Sequence, residues 1–187
     1  ALRICRNEIG RGDKIRGTEK QRFLSAVTEK GVVFMNKTPK ALCERIYAFE
    51  DETGAASRVF MNTVRKYALE NGLDIITCKC PIFPFEKTEH VFIPSRKIGF
   101  VTVNKRHKID FPITRTLHSA RFYDREKYST QKIKIRYALR FAKSLIDEAS
   151  LCMKEAKSKH DELERFYIKA MDFSKVNGKL EKILKEI

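Results

Sequence analysis

The sequence predicts an α/β fold: a small parallel sheet flanked by helices, with a long helical extension towards the C-terminal end. Three observations predict it. Short apolar, β-branched runs alternate with helical patterns between residues 23 and 127, and such alternation builds parallel sheets through right-handed crossovers. At residues 46–71, IYAFEDETGAASRVFMNTVRKYALEN, an apolar strand, an acidic turn and an amphipathic helix follow one another directly. Beyond Tyr128, apolar or small residues recur at spacings of four and three, from Ile135, Leu139, Ala142 and Ile146 on to Leu163 and Tyr167. That spacing is one long helix with a narrow seam.

The elements follow in order. Residues 1–22 are polar and basic with Gly10, Gly12 and Gly17, and read as an extended lead-in or linker. Residues 23–28 form a short apolar piece, turned by Thr28-Glu29-Lys30-Gly31 into residues 32–35. Pro39 opens a short helix over residues 40–45. The strand at 46–49 and a helix beginning near Ser57 come next, stopped by Asn71-Gly72. Residues 73–78 predict a second strand, and Pro81 and Pro84 break the segment after it into a loop. Residues 90–93, 98–103 and 115–118 complete the strands. After the long helix, Asp172-Phe173-Ser174 interrupts the pattern, with Ser174 as the expected N-cap of a last short helix. The core is thus assigned to 23–127, and 128–187 to helices packed on that core or on a partner.

Length and composition limit the functions open to the chain. With 187 residues, 42% of them hydrophobic and 13 of them Phe, it can bury one good core. The 39 Lys and Arg against 24 Asp and Glu leave a charge of +15, which favours polyanionic partners. The charge is concentrated: residues 96–143 hold 14 Lys and Arg against three acids, +11 of the total. Five cysteines without framework spacing argue for a reducing compartment, and no apolar run reaches membrane-helix length. The expected setting is cytoplasmic, with no membrane partner.

Strand, tight turn and helix is the geometry that binds phosphate. A working phosphate loop reads Gly, four residues, then Gly-Lys-Ser/Thr, because bare backbone N–H groups wrap the anion while the lysine reaches the outer phosphates. With its last position on Ser57, Glu50 replaces the first Gly, Ala55 the second and Ala56 the Lys. Glu50, Thr53, Gly54, Ala55, Ala56, Ser57 and Arg58 are therefore the candidate phosphate-binding residues of a degenerate loop. Two readings of its acids stand side by side: Glu50, Asp51 and Glu52 repel a triphosphate, and they favour the positive end of the helix. The acid that would order magnesium at a neighbouring strand tip is missing too, since residues 98–103 run into Asn104 with no Asp or Glu before Asp110.

A second candidate surface is the basic block. Lys105, Arg106, His107 and Lys108 start it, and Phe111, Phe122, Tyr123, Tyr128 and Tyr137 are interleaved with the later Arg and Lys. Charge meets phosphates and aromatic rings stack on bases in nucleic-acid binding; a basic helix with inward aromatics has the same composition. Cys78-x-Cys80 lacks the two-residue gap of a zinc pair and a second ligand pair. The histidines at 90, 107, 118 and 160 read as structural, with no helical i, i+4 ligand partner, so no metal site is assigned.

The order of these pieces resembles one half of a bacterial family of tandem P-loop ATPase-like proteins. The resemblance rests on RFLSAVTEKGVVFMN, the strand with its phosphate-loop position, NGLDIITCKCPIFPFEKTEHVFIPSRKIGFVTVNKRH and SLCMKEAKSKHDELERFYIKAMDF, from about Phe23 to Phe173. It implies a P-loop NTPase-like domain with a long helical tail, beside a second P-loop domain in the same longer chain or a homo-oligomer partner. The family loop, usually intact, falls on residues 50–57, where Ser57 alone keeps its type. That departure implies a structural or regulatory half that requires no cofactor, ATP with magnesium being the ligand an intact loop would take. The alternative is a nucleic-acid-binding module built on residues 96–143.

Overall fold

The structure, a computed structural model, describes residues 1–105 and 109–186. The chain runs α1 (Leu2–Glu8), β1 (Glu19–Phe23), β2 (Ser25–Thr28), β3 (Gly31–Phe34), α2 (Lys37–Leu42), β4 (Arg45–Glu50) and α3 (Ala55–Glu70). It continues through β5 (Ile75–Lys79), β6 (Thr88–Ile93), β7 (Ile98–Val103), β8 (Arg115–His118), α4 (Arg125–Ala170) and α5 (Phe173–Lys185). Six strands form one sheet in the order β1-β5-β6-β7-β4-β8, and β2 and β3 form a separate antiparallel hairpin.

The sheet is mostly parallel, which departs from the all-parallel expectation at one strand. β6 runs against both neighbours, β5 and β7. The reason lies in the connections: only the eight residues 80–87 join β5 to β6, and a single 3₁₀ turn at Pro94–Arg96 joins β6 to β7. Parallel neighbours need a crossover of about a dozen residues or more. Lys97 ends that turn at φ 51, the left-handed conformation a tight reversal requires.

Both faces of the sheet are covered. Alternation along β4 sends Tyr47 and Phe49 to one face and Ile46 to the other. On the first face α3 lays down Phe60, Met61, Val64 and Ala68, joined by Cys5 and Ile9 from the N-terminal segment. Phe49 meets Phe60 with ring centroids 4.6 Å apart. On the second face Leu24, Phe92, Val101 and Phe111 pack with Phe34 of the hairpin and Leu42 of α2.

Residues 1–22 are not an extended lead-in. α1 packs on α3, and β1 joins the sheet parallel to β5. Glu19 fixes that strand: its carboxylate accepts from Arg65 Nε at 2.8 Å, from the Arg65 Nη2 and from Thr77 Oγ1 at 2.7 Å. Gly17 is a point of close backbone approach, since a Cβ there would lie 1.9 Å from the Leu73 carbonyl oxygen.

The C-terminal helices leave the core. α4 is 46 residues long, about 70 Å at the helical rise. Asp124 caps it, accepting from the Glu126 and Lys127 N–H groups at 3.1 Å each. Its first half packs on the β2–β3 hairpin; from Leu151 onward nearly every residue is exposed. Asp172, not Ser174, is the N-cap of α5, because its carboxylate accepts from the Ser174 and Lys175 N–H groups. Among the described residues no helix is long and apolar enough to cross a membrane.

Candidate functional site

The candidate loop leaves the C-terminal end of β4 and enters α3 at Ala55, with Gly54 as N-cap at φ 78 and ψ −2. β4 lies between β7 and β8, both parallel to it, so the turn sits where open α/β sheets place ligands. Positive φ at Gly54 lets the chain reverse directly into the helix, whose first N–H groups then point back at the turn.

One of them, the Ser57 N–H, already has an anion. Asp51 is 1% exposed, and its Oδ2 accepts from the Ser57 backbone N–H at 2.7 Å. Its Oδ1 accepts from the Thr53 N–H at 3.1 Å, the Thr53 hydroxyl at 2.9 Å and the Tyr123 hydroxyl at 2.8 Å. Burial pushes the Asp51 carboxyl up, but the Ser57 N–H, Tyr123 and Thr53 outweigh it and hold the group below the usual carboxylate range. Tyr123 responds in the opposite sense: burial, reinforced by the Asp51 charge, raises its phenol.

The three acids of the turn therefore have three separate fates. Asp51 alone serves the helix end. Glu50 pairs with the imidazole of His118, Oε2 to Nδ1 at 2.5 Å, across the β4–β8 ladder. Glu52 accepts from the Lys105 backbone N–H at 3.1 Å. Ser57, the signature position that keeps its type, is fully buried and donates its hydroxyl to the Gly54 carbonyl oxygen at 3.2 Å. Arg58 turns away to Glu86, with Nη1 3.7 Å from Oε2. Ala55 is exposed, and Ala56, at the lysine position, packs against the core.

A cavity of about 700 Å³ opens beside the loop, with Gly54, Lys87, Glu89 and Asn104 on its polar side and Leu139 and Ile146 of α4 opposite. Two of its residues carry no signal in the sequence. Lys87 reaches over the loop from the β5–β6 connection, so close that a Cβ on Gly54 would lie 2.9 Å from its Nζ. Glu89 lies opposite Thr102 near the end of β7, brought there by the reversed strand β6. Its carboxylate takes Lys87 at 3.2 Å in a largely buried ion pair. A carboxylate thus stands near the strand tip that the sequence leaves without one, and a lysine stands over a turn that has alanine where a phosphate loop carries lysine. Their pairing leaves neither charge uncompensated.

The remaining candidates divide. Lys105 is exposed next to the loop; Arg106, His107 and Lys108 lie outside the described residues. His90 is fully buried in the sheet, its Nδ1 accepting from the Thr102 N–H at 3.2 Å. His160 does have an i, i+4 acid, Glu164, and clusters with it and Asp161 on the part of α4 that projects beyond the core, an arrangement common on exposed helices. Cys78 is a buried thiol pushed up to about 12 by burial and the Glu89 charge. Comparison of the chain with protein-family models, curated proteins and solved structures returns no match.

Proposed function

We propose that this chain is a P-loop NTPase-like domain whose phosphate loop is degenerate, serving as a structural or regulatory half of a cytoplasmic, bacterial ATPase-like protein. The observation that carries the reading is the 2.7 Å bond from the Ser57 N–H to Asp51. The strand, turn and helix of a phosphate site are in place, and the helix N-terminus that would receive phosphate is occupied by a carboxylate of the chain itself. With Ala at the lysine position and Ser57 turned into its own helix, the signature contacts of a phosphate loop to magnesium and triphosphate are missing. The domain needs no cofactor. Titration with ATP and magnesium by calorimetry is expected to give no binding in the micromolar range; micromolar binding overturns the reading.

A second reading follows from α4. Ile133, Tyr137 and Phe141 are exposed along one face at intervals of four, among Lys132, Lys134, Arg136, Arg140 and Lys143. Exposed aromatic rings on a basic helix offer stacking and phosphate contacts to single-stranded nucleic acid. Affinity for an RNA or DNA oligonucleotide falling steeply with salt supports this reading. Absent or salt-insensitive binding disposes of it.

A further inference from the structure

The seam on α4 is covered at one end and bare at the other. Ile135, Leu139, Ala142 and Ile146 are half-buried where the helix runs past the β2–β3 hairpin. The same alternation of four and three continues without a break through Ala149, Met153, Ala156, His160, Leu163 and Tyr167. There nothing covers it: Met153 is 49% exposed, Leu163 50% and Tyr167 59%. A strict seven-residue repeat is the pattern by which helices wind around one another, each seam residue seating between four residues of the facing helix.

α5 adds a second bare face. Val176, Leu180, Ile183 and Leu184 share one side of it and are all exposed, and among the described residues α5 does not pack back along α4. Exposed apolar side chains that repeat along one face of each helix, on helices that project from the core, mark an interaction site.

We infer that residues 149–186 form a self-association arm, and that its occupant is the same arm of a second copy of this chain. Charge permits that partner. Residues 149–186 carry nine Lys and Arg against seven Asp and Glu, so the arm's net charge is only +2 and it repels its own copy weakly. The block at 96–143, with +11, repels strongly. Several of the arm's charges pair within α4, Lys157 with Asp161 and Lys159 with Glu162. A coiled partner must also present a seam of matching repeat, and a second copy does so by construction. The arm is also long enough, since a stable interface uses about 20–30 residues per side. The inference is independent of the phosphate loop.

The test is the mass of the full chain in solution, by light scattering on a sizing column. Wild type is expected to run as a dimer. Met153→Lys combined with Leu163→Lys places two charges in the seam and is expected to halve the mass. Both side chains lie far along the arm, so the urea unfolding of the core serves as the check that the variant folds. Ser158→Lys, on the same helix but off the seam, is expected to stay dimeric. A monomeric wild type overturns the inference, as does a dimer that survives the double substitution or is equally lost in Ser158→Lys. Assembly that appears only when another protein is added, the arm serving a different partner, overturns it as well.

Discussion

The Ser57 N–H donates to Asp51 Oδ2 at 2.7 Å, tying the end of β4 to the first turn of α3 with an ionised group that water barely reaches. A charge that deep persists only because every direction around it supplies a donor. Removing it leaves the Ser57 N–H of α3, the Thr53 N–H of the turn and two hydroxyls without this acceptor. Asp51→Ala is expected to destabilise the domain by about 2–3 kcal/mol, and Asp51→Asn, which keeps one acceptor oxygen, by about 1 kcal/mol. Urea unfolding measures both: the midpoint falls while the slope is unchanged. A loss below about 0.5 kcal/mol in Asp51→Ala contradicts the capping role, since that is the range of an ordinary surface change.

Acid should remove the same contribution. Because the folded-state pKa of Asp51 is depressed, its contribution is fully present above the unfolded carboxylate value of about 4 and is lost as pH falls through the folded value. The stability difference between wild type and Asp51→Asn is therefore expected to be flat near neutrality and to shrink below about pH 4. Glu19, held low chiefly by Arg65, bends the acid limb of both proteins in the same direction, so only the difference isolates Asp51. A difference that grows on acidification would mean that Asp51 is held protonated in the fold.

On the proposed reading the turn departs from a phosphate loop in two ways, and substitution separates them. If the lysine were the whole deficit, Ala56→Lys alone would confer phosphate binding. Because Asp51 occupies the helix end, the single substitution is expected to leave pyrophosphate and ATP unbound. The combination Glu50→Gly, Asp51→Gly, Ala55→Gly and Ala56→Lys is expected to bind them measurably by calorimetry, with circular dichroism confirming the fold. Binding by Ala56→Lys alone would show that Asp51 yields its place to phosphate.

Much of this architecture is legible in the residues. β7 and β8 fall on the predicted runs, and β4 and α3 extend theirs by a residue or two, because strong apolar runs meet clear turn chemistry at Gly54 and at Asn71-Gly72. α1 and β1 are hidden because LRICRNE and EKQRF are mostly polar. They are held by Cys5, Ile9 and the Glu19–Arg65 pair, whose other sides lie far along the chain. The loop's emptiness of signature residues is readable, whereas its occupant is not. Three adjacent acids look alike in sequence; only the fold sends Asp51 inward, Glu50 to His118 and Glu52 to Lys105. Lys87 and Glu89 reach the site through a reversed strand that no local motif announces.

Glycine substitutions of opposite sign test how the two ends of the chain are held. At Gly17 the backbone of the N-terminal segment lies against Leu73, and its N–H donates to the Leu69 carbonyl at 2.9 Å. A methyl group there meets main chain that cannot swing aside, so Gly17→Ala is expected to destabilise the domain by about 1–3 kcal/mol. At Gly178, inside α5, an added Cβ has nothing within 4 Å. Alanine in a helix interior is worth about 0.5–1 kcal/mol over glycine, so Gly178→Ala is expected to raise helix content without moving the urea midpoint of the core. Circular dichroism reads the second effect and urea unfolding the first. If Gly17→Ala were neutral, residues 10–18 would not be packed on the turn between α3 and β5, and the segment before β1 would be the loose lead-in that its composition resembles.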